Sequence, residues 1–107
     1  MSPFSDVLSR LAATIESRKG GNAATSYTAK LLADPSLAAK KLGEEVIEAV
    51  IAATQGDKAA LAAESADLIY HWLVVLASAG VSLDEVAARL EAREGTSGLD
   101  EKAGRPS

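Results

Sequence analysis

Five carboxylates stand at helical spacing in two neighbouring stretches of this chain: Glu44, Glu45 and Glu48 in the first, Glu64 and Asp67 in the second. On a wheel of about 100° per residue, Lys41, Glu44, Glu45, Glu48 and Ala52 fall within one arc of roughly 100°. Leu42, Val46, Ala49, Val50 and Ala53 cover the opposite side, and Ile47 and Ile51 fill much of the rest. A solvated helix face mixes lysine and glutamate over about half the circumference. Here three acids crowd into about one turn, with one lysine at the N-terminal edge. In the second stretch Glu64 and Asp67 are spaced i and i+3 among Ala62, Ala63 and Ala66, one turn before an almost wholly apolar run, Leu68 to Ala77. Such a helix is buried on most sides, so its two acids belong to an element that seeks the interior.

Carboxylates gathered in a partly buried patch repel one another. Protonation, pairing with Lys40, Lys41 or Lys58, or a bound divalent cation each relieves the repulsion. The chain has no cysteine and a single histidine, so the donors are oxygens, a set suited to Mg²⁺ with Mn²⁺ as the alternative. A cation held by a few carboxylates engages phosphate oxygens and activates water. It also inverts, locally, the repulsion that a protein of formal charge −4 exerts on a phosphorylated ligand. The alternative is a solvated acidic ridge with scattered salt bridges, in a helical interaction module without catalysis.

The elements that must position these acids are helices. The 107 residues include 22 alanines and 13 leucines against three prolines and four aromatics, a composition for one all-α domain. Its acidic balance argues against a nucleic-acid partner. The lack of cysteine excludes a disulfide framework, a thiolate metal site and a cysteine nucleophile. Met1 to Lys19 is amphipathic, unlike a secretory signal, and Leu68 to Ala77, interrupted by Tyr70 and His71, is too short to cross a bilayer. A cytoplasmic protein without a membrane partner is expected. Punctuation predicts five helices: Ser5 to Arg18, with Val7, Leu8, Leu11 and Ile15 on one face; Tyr27 to Ala33, capped by Ser26; a third ending at Thr54 and capped by Asp34 or Ser36; Lys58 to Ser78, stopped by Gly80; and Leu83 to Arg93, opened by a Ser82–Glu85 capping box. Residues 1–94 are expected to form the domain, and 95–107, rich in Gly, Ser and charge, a frayed, solvated tail.

Gln55-Gly56-Asp57 is too short for anything but an antiparallel hairpin. Counted from Gly56, Glu48 and Glu64 lie eight residues away on either side, Glu45 and Asp67 eleven. Equal counts mean equal heights, about 12 Å and 16 Å at roughly 1.5 Å per residue, so the two acidic pairs can face each other. A hairpin alone cannot cover a helix that is apolar all round. A homodimer, completing a four-helix-bundle-like core, is therefore expected, with the fifth helix packing on it through Val81, Leu83, Val86, Ala87 and Leu90.

The motifs resemble the all-α, MazG-like nucleotide pyrophosphohydrolases, whose signature is EExxE on one helix and ExxD on the next: Glu44-Glu45-Val46-Ile47-Glu48, then Glu64-Ser65-Ala66-Asp67. Within that superfamily the chain is similar to the phosphoribosyl-ATP pyrophosphohydrolases of histidine biosynthesis. The likeness rests on Ser26-Tyr27-Thr28-Ala29-Lys30-Leu31-Leu32, on Lys41-Leu42-Gly43-Glu44-Glu45, on Glu64 to His71, and on the tail string Ser97 to Ala103. The resemblance implies Mg²⁺-dependent hydrolysis of phosphoribosyl-ATP to phosphoribosyl-AMP and pyrophosphate, in a stand-alone form without the cyclohydrolase fused to it elsewhere. A house-cleaning nucleoside triphosphate pyrophosphohydrolase shares the acidic motif and is the alternative within enzymes.

The resemblance also assigns roles. Glu45, Glu48, Glu64 and Asp67 become metal ligands, and Glu44 completes the metal shell or orients the attacking water. Lys30 and Lys41 are candidates for phosphate contact, against the simpler reading of solvated lysines. Ser26, Tyr27 and Thr28 stand at a helix start that favours an anion, against plain capping by Ser26. Lys102 and Arg105 are candidates to close over the substrate phosphates. His71, one turn after Asp67, is expected to be a core histidine bonded to Asp67 rather than a catalytic base. Tyr70 is expected to pack, and Trp72 to serve the core or a subunit interface.

Overall fold

The computed structural model describes residues 3–95, and every regular element among them is helical: α1 (Pro3–Ser17), α2 (Tyr27–Ala33), α3 (Pro35–Thr54), α4 (Lys58–Ala79) and α5 (Leu83–Glu91). Lys102, Arg105 and nearly all of the tail lie outside the described residues. The all-α class and the helix order agree with the sequence expectation, with ends displaced by up to two residues.

Each start has a local cause. The Ser26 hydroxyl accepts from the Ala29 N–H at 3.1 Å and opens α2. Of the two candidate caps for α3 it is Asp34 that accepts, from Leu37 N–H at 3.1 Å, leaving Pro35 in the first turn where its missing N–H costs nothing. Asp57 caps α4 through Ala60 N–H at 3.0 Å. Gly80 ends that helix at φ 74°, a left-handed conformation that a Cβ would strain. The capping box at α5 is complete: Ser82 Oγ accepts from Glu85 N–H at 3.1 Å, and Ser82 N–H donates to the Glu85 carboxylate at 2.6 Å.

The core joins four helices: Ile15 from α1, Leu31 from α2, Ala38 from α3, and Leu73 and Val74 from α4. α4 is the central rod, packed against α1, α2 and, most extensively, α3. By length and composition alone its 22 residues suffice to cross a membrane, contrary to the expectation from Leu68–Ala77. The alanines before Leu68 make the difference. Yet α4 carries Glu64 and Asp67 and lies against three other helices, as the core helix of a folded domain does. α5 is more loosely attached than expected. Leu83 meets the core, whereas Val81 and Leu90 are exposed.

α3 turns the less expected face inward. Ala38 and Ala52 are buried against the rest of the fold, while Val46, Ile47, Val50 and Ile51 are exposed. Of the polar stripe, Glu45 and Ala52 thus lie toward α4 while Glu48 stays exposed, and a continuous apolar flank is left uncovered.

Candidate active site

Ala38, Glu45 and Ala52 recur every seven residues on α3, so they share one line of that helix. The two alanines are buried, and their small side chains let α4 approach closely on either side of Glu45. On α4, Glu64, Asp67, His71 and Val74 follow one another at intervals of three and four, which places them on one line as well. Where the two lines meet, one carboxylate oxygen from each of Glu45, Glu64 and Asp67 lies within 4.8 Å of the other two. Glu45 and Glu64 are half-buried and Asp67 is exposed, so the cluster opens to solvent on one side.

The electrostatics follow from this crowding. The Glu64 carboxyl is raised above its ordinary value of 4.5, first by partial burial, then by a hydrogen bond with Glu45, then by the negative charges of Glu45 and Asp67. Two carboxyl groups joined by a hydrogen bond need a proton between them. A divalent cation can take that proton's place and neutralise the third acid too. The donors fit such an ion: three oxygens converge, and among the described residues no cysteine and no second histidine accompany them.

The remaining candidates are placed as follows. Glu48 is exposed and stands outside the triad. It sits about 60° around α3 from Glu45, so matched height above the turn did not bring it to Glu64. Instead Glu45 meets both acids of α4. Glu44 points along its own helix to Lys41, 3.7 Å away, as a partly exposed ion pair of small energetic weight. Lys30 is exposed on α2. Ser26 is used as the cap of α2.

Tyr27 and Thr28 reach α4 rather than standing free at a helix start. Thr28 Oγ1 is hydrogen-bonded to the Tyr70 hydroxyl, and the Tyr27 hydroxyl lies 3.4 Å from His71 Nε2. The His71 ring meets Tyr70 and Tyr27 edge to face, with centroids 4.9 Å and 6.2 Å away. His71 does bond to Asp67, but through Nδ1 and the main-chain carbonyl oxygen at 2.8 Å, leaving the Asp67 carboxylate free for the triad. Helical spacing announces the contact between residues 67 and 71. The pairing of α2 with Tyr70 and His71 is tertiary and leaves no mark in local spacing. A cavity of about 580 Å³ lies elsewhere, at the far end of α4, lined by Lys19, Gly21, Leu32 and Ser78 among others, with no carboxylate in its walls. The triad is open to solvent on its Asp67 side rather than enclosed.

The sequence profile of the family described as phosphoribosyl-ATP pyrophosphohydrolase matches residues 8–94. A phosphoribosyl-ATP pyrophosphatase of Caulobacter vibrioides (strain NA1000 / CB15N) is 70% identical over 102 residues, 95% of each chain. One of Caulobacter sp. (strain K31) is 68% identical over the full length of both chains. One of Cereibacter sphaeroides (strain ATCC 17029 / ATH 2.4.9) is 61% identical over 92% of this chain and 97% of its own.

Proposed function

The chain belongs to the phosphoribosyl-ATP pyrophosphohydrolase family, and from this premise we propose that it hydrolyses phosphoribosyl-ATP to phosphoribosyl-AMP and pyrophosphate in histidine biosynthesis. The observation that carries the reading is the convergence of Glu45, Glu64 and Asp67 within 4.8 Å across α3 and α4. These three hold a divalent cation, Mg²⁺ by preference over Mn²⁺, with Glu48 joining from the next turn of α3. When bound, the cation neutralises charge on the phosphate chain and polarises the anhydride between the α- and β-phosphates.

The chain's own side chains supply the rest. Glu44 is the carboxylate of the motif left over once Glu48 joins the triad, and it holds the attacking water and accepts its proton. The water oxygen bonds to phosphorus, the α–β anhydride bond breaks, and the electron pair leaves with pyrophosphate. Lys41, beside Glu44, and Lys30 offset the charge that accumulates on the leaving group. Lys102 is assigned to the same phosphates.

The exposed flank Val46, Ile47, Val50 and Ile51 supports a homodimer, in which a second copy covers α3. The activity is placed in the cytoplasm. The test is a product assay. Pyrophosphate release from phosphoribosyl-ATP is expected with Mg²⁺ and not with chelator, and release from ordinary nucleoside triphosphates is expected to be much slower. Equal rates across the triphosphate panel support the house-cleaning reading, and no release from any of them rejects the enzyme reading.

A further inference from the structure

Among the described residues His71 is the one buried polar or charged residue, and the proposed hydrolysis gives it no task. Its two ring nitrogens are both engaged, and one partner settles the other. The Asp67 main-chain oxygen can only accept, so Nδ1 must carry the proton that bridges the 2.8 Å contact. In the neutral imidazole Nε2 is then an acceptor, and the Tyr27 O–H must donate to it across 3.4 Å. The Tyr27 oxygen has spent its only proton and keeps lone pairs. Tyr27 as a residue is half exposed, which leaves room for a ligand to approach it. Ionised phosphate oxygens also carry only lone pairs, and two acceptors repel. A sugar hydroxyl complements such an oxygen.

We propose that His71 is a positioning residue that fixes Tyr27 as a hydrogen-bond acceptor, so that Tyr27 reads a ribose hydroxyl of the substrate rather than its phosphate chain. The inference rests on the nucleotide-hydrolase reading for the identity of the ligand, but not for the state of His71. It also revises the grouping of Tyr27 with the anion-binding residues at the start of α2. Thr28, hydrogen-bonded to Tyr70, ties the same turn to α4 and keeps Tyr27 over His71.

Two measurements test it. His71 is the only histidine of the chain, so a long-range ¹H–¹⁵N correlation spectrum of the full-length protein, at mildly alkaline pH and without substrate, reports it alone. Protonated Nδ1 with an acceptor-type Nε2 is expected, and the opposite tautomer overturns the proposal. In steady-state assays with Mg²⁺ and phosphoribosyl-ATP, Tyr27→Phe is expected to raise KM roughly fivefold, the weight of one neutral hydrogen bond. Its kcat and its inhibition by inorganic pyrophosphate stay near wild type. His71→Leu raises KM to the same degree, and the double variant adds nothing. His71→Gln, whose amide oxygen can accept in place of Nε2, restores KM, an outcome that also serves should His71→Leu fail to fold.

Competition by AMP and by its dideoxy analogue identifies the donor. The wild type prefers AMP and Tyr27→Phe does not. An unchanged KM in Tyr27→Phe or weakened pyrophosphate inhibition overturns the assignment, and equal binding of AMP and its dideoxy analogue by the wild type overturns a contact with the adenosine ribose. A wild-type protein that releases no pyrophosphate at all rejects the hydrolase reading and the ribose contact together, while the tautomer spectrum still decides the role of His71.

Discussion

At the residue scale, the Glu45–Glu64 contact has a consequence that can be read without substrate. A carboxyl whose value is raised in the folded state binds its proton more tightly there than in the unfolded chain. Its contribution to stability is therefore present at low pH and is lost as pH climbs from about 4.5 through the raised folded value. In chelator, the melting temperature is expected to decline over that interval and to recover when Mg²⁺ is added at the upper end. A flat profile in chelator, unaltered by Mg²⁺, means that the acids do not interact. Glu64→Gln keeps an amide in the same place and removes one like charge. It is expected to melt no lower than wild type in chelator, to lose most of its Mg²⁺-induced gain in melting temperature, and to hydrolyse phosphoribosyl-ATP more than about 100-fold slower, since even outer-shell changes at metal sites cost roughly 10–100-fold. Calorimetry with and without Mg²⁺, beside a pyrophosphate assay, checks all three.

At the scale of the element, the site depends on where α3 and α4 start and stop. Asp57 and Gly80 hold the two ends of α4, and Gly80 adopts φ 74° with nothing within 4 Å of where a Cβ would be. Gly80→Ala therefore meets no clash and exposes the backbone cost alone. A loss of about 1–2 kcal/mol in urea unfolding is expected, with an unchanged slope and an unchanged KM. Asp57→Ala removes the hydroxyl-free, carboxylate cap from Ala60 N–H and is expected to cost about 1 kcal/mol. Because Asp57 borders the turn that sets the height of α4 against α3, its kcat is expected to fall as well. An intact kcat in Asp57→Ala, measured at saturating substrate, argues that packing rather than the turn holds the register.

For the molecule as a whole, the unusual feature is a helix that turns Glu45 in and its valines and isoleucines out. Ile47 is 61% exposed and Val50 is 55% exposed, on a flank that runs over about one and a half turns. A lone chain gains nothing from that arrangement. The proposed second copy, by burying the flank, would turn it into a core. If the proposed homodimer forms through this flank, Ile47→Glu is expected to convert it to monomer in sedimentation equilibrium and to lower the melting temperature. A wild-type chain that sediments as a monomer at micromolar concentration rejects the dimer.

Local chemistry made much of this protein legible from its residues in order. Ser26, Asp34, Asp57, Ser82 with Glu85, and Gly80 each act on backbone groups one turn away, so the helix ends follow from nearest neighbours. The same holds for the five acids at helical spacing and for the family that their motifs mark. Periodicity states which side chains share a face, but not which face turns toward a neighbour. That rotation is set by what packs, and on α3 the buried Ala38 and Ala52 admit α4 along the line of Glu45. Only the assembled helices could therefore select Glu45 over Glu48 as the partner of Glu64, leave the apolar flank outside, and lay Tyr27 and Thr28 against His71 and Tyr70.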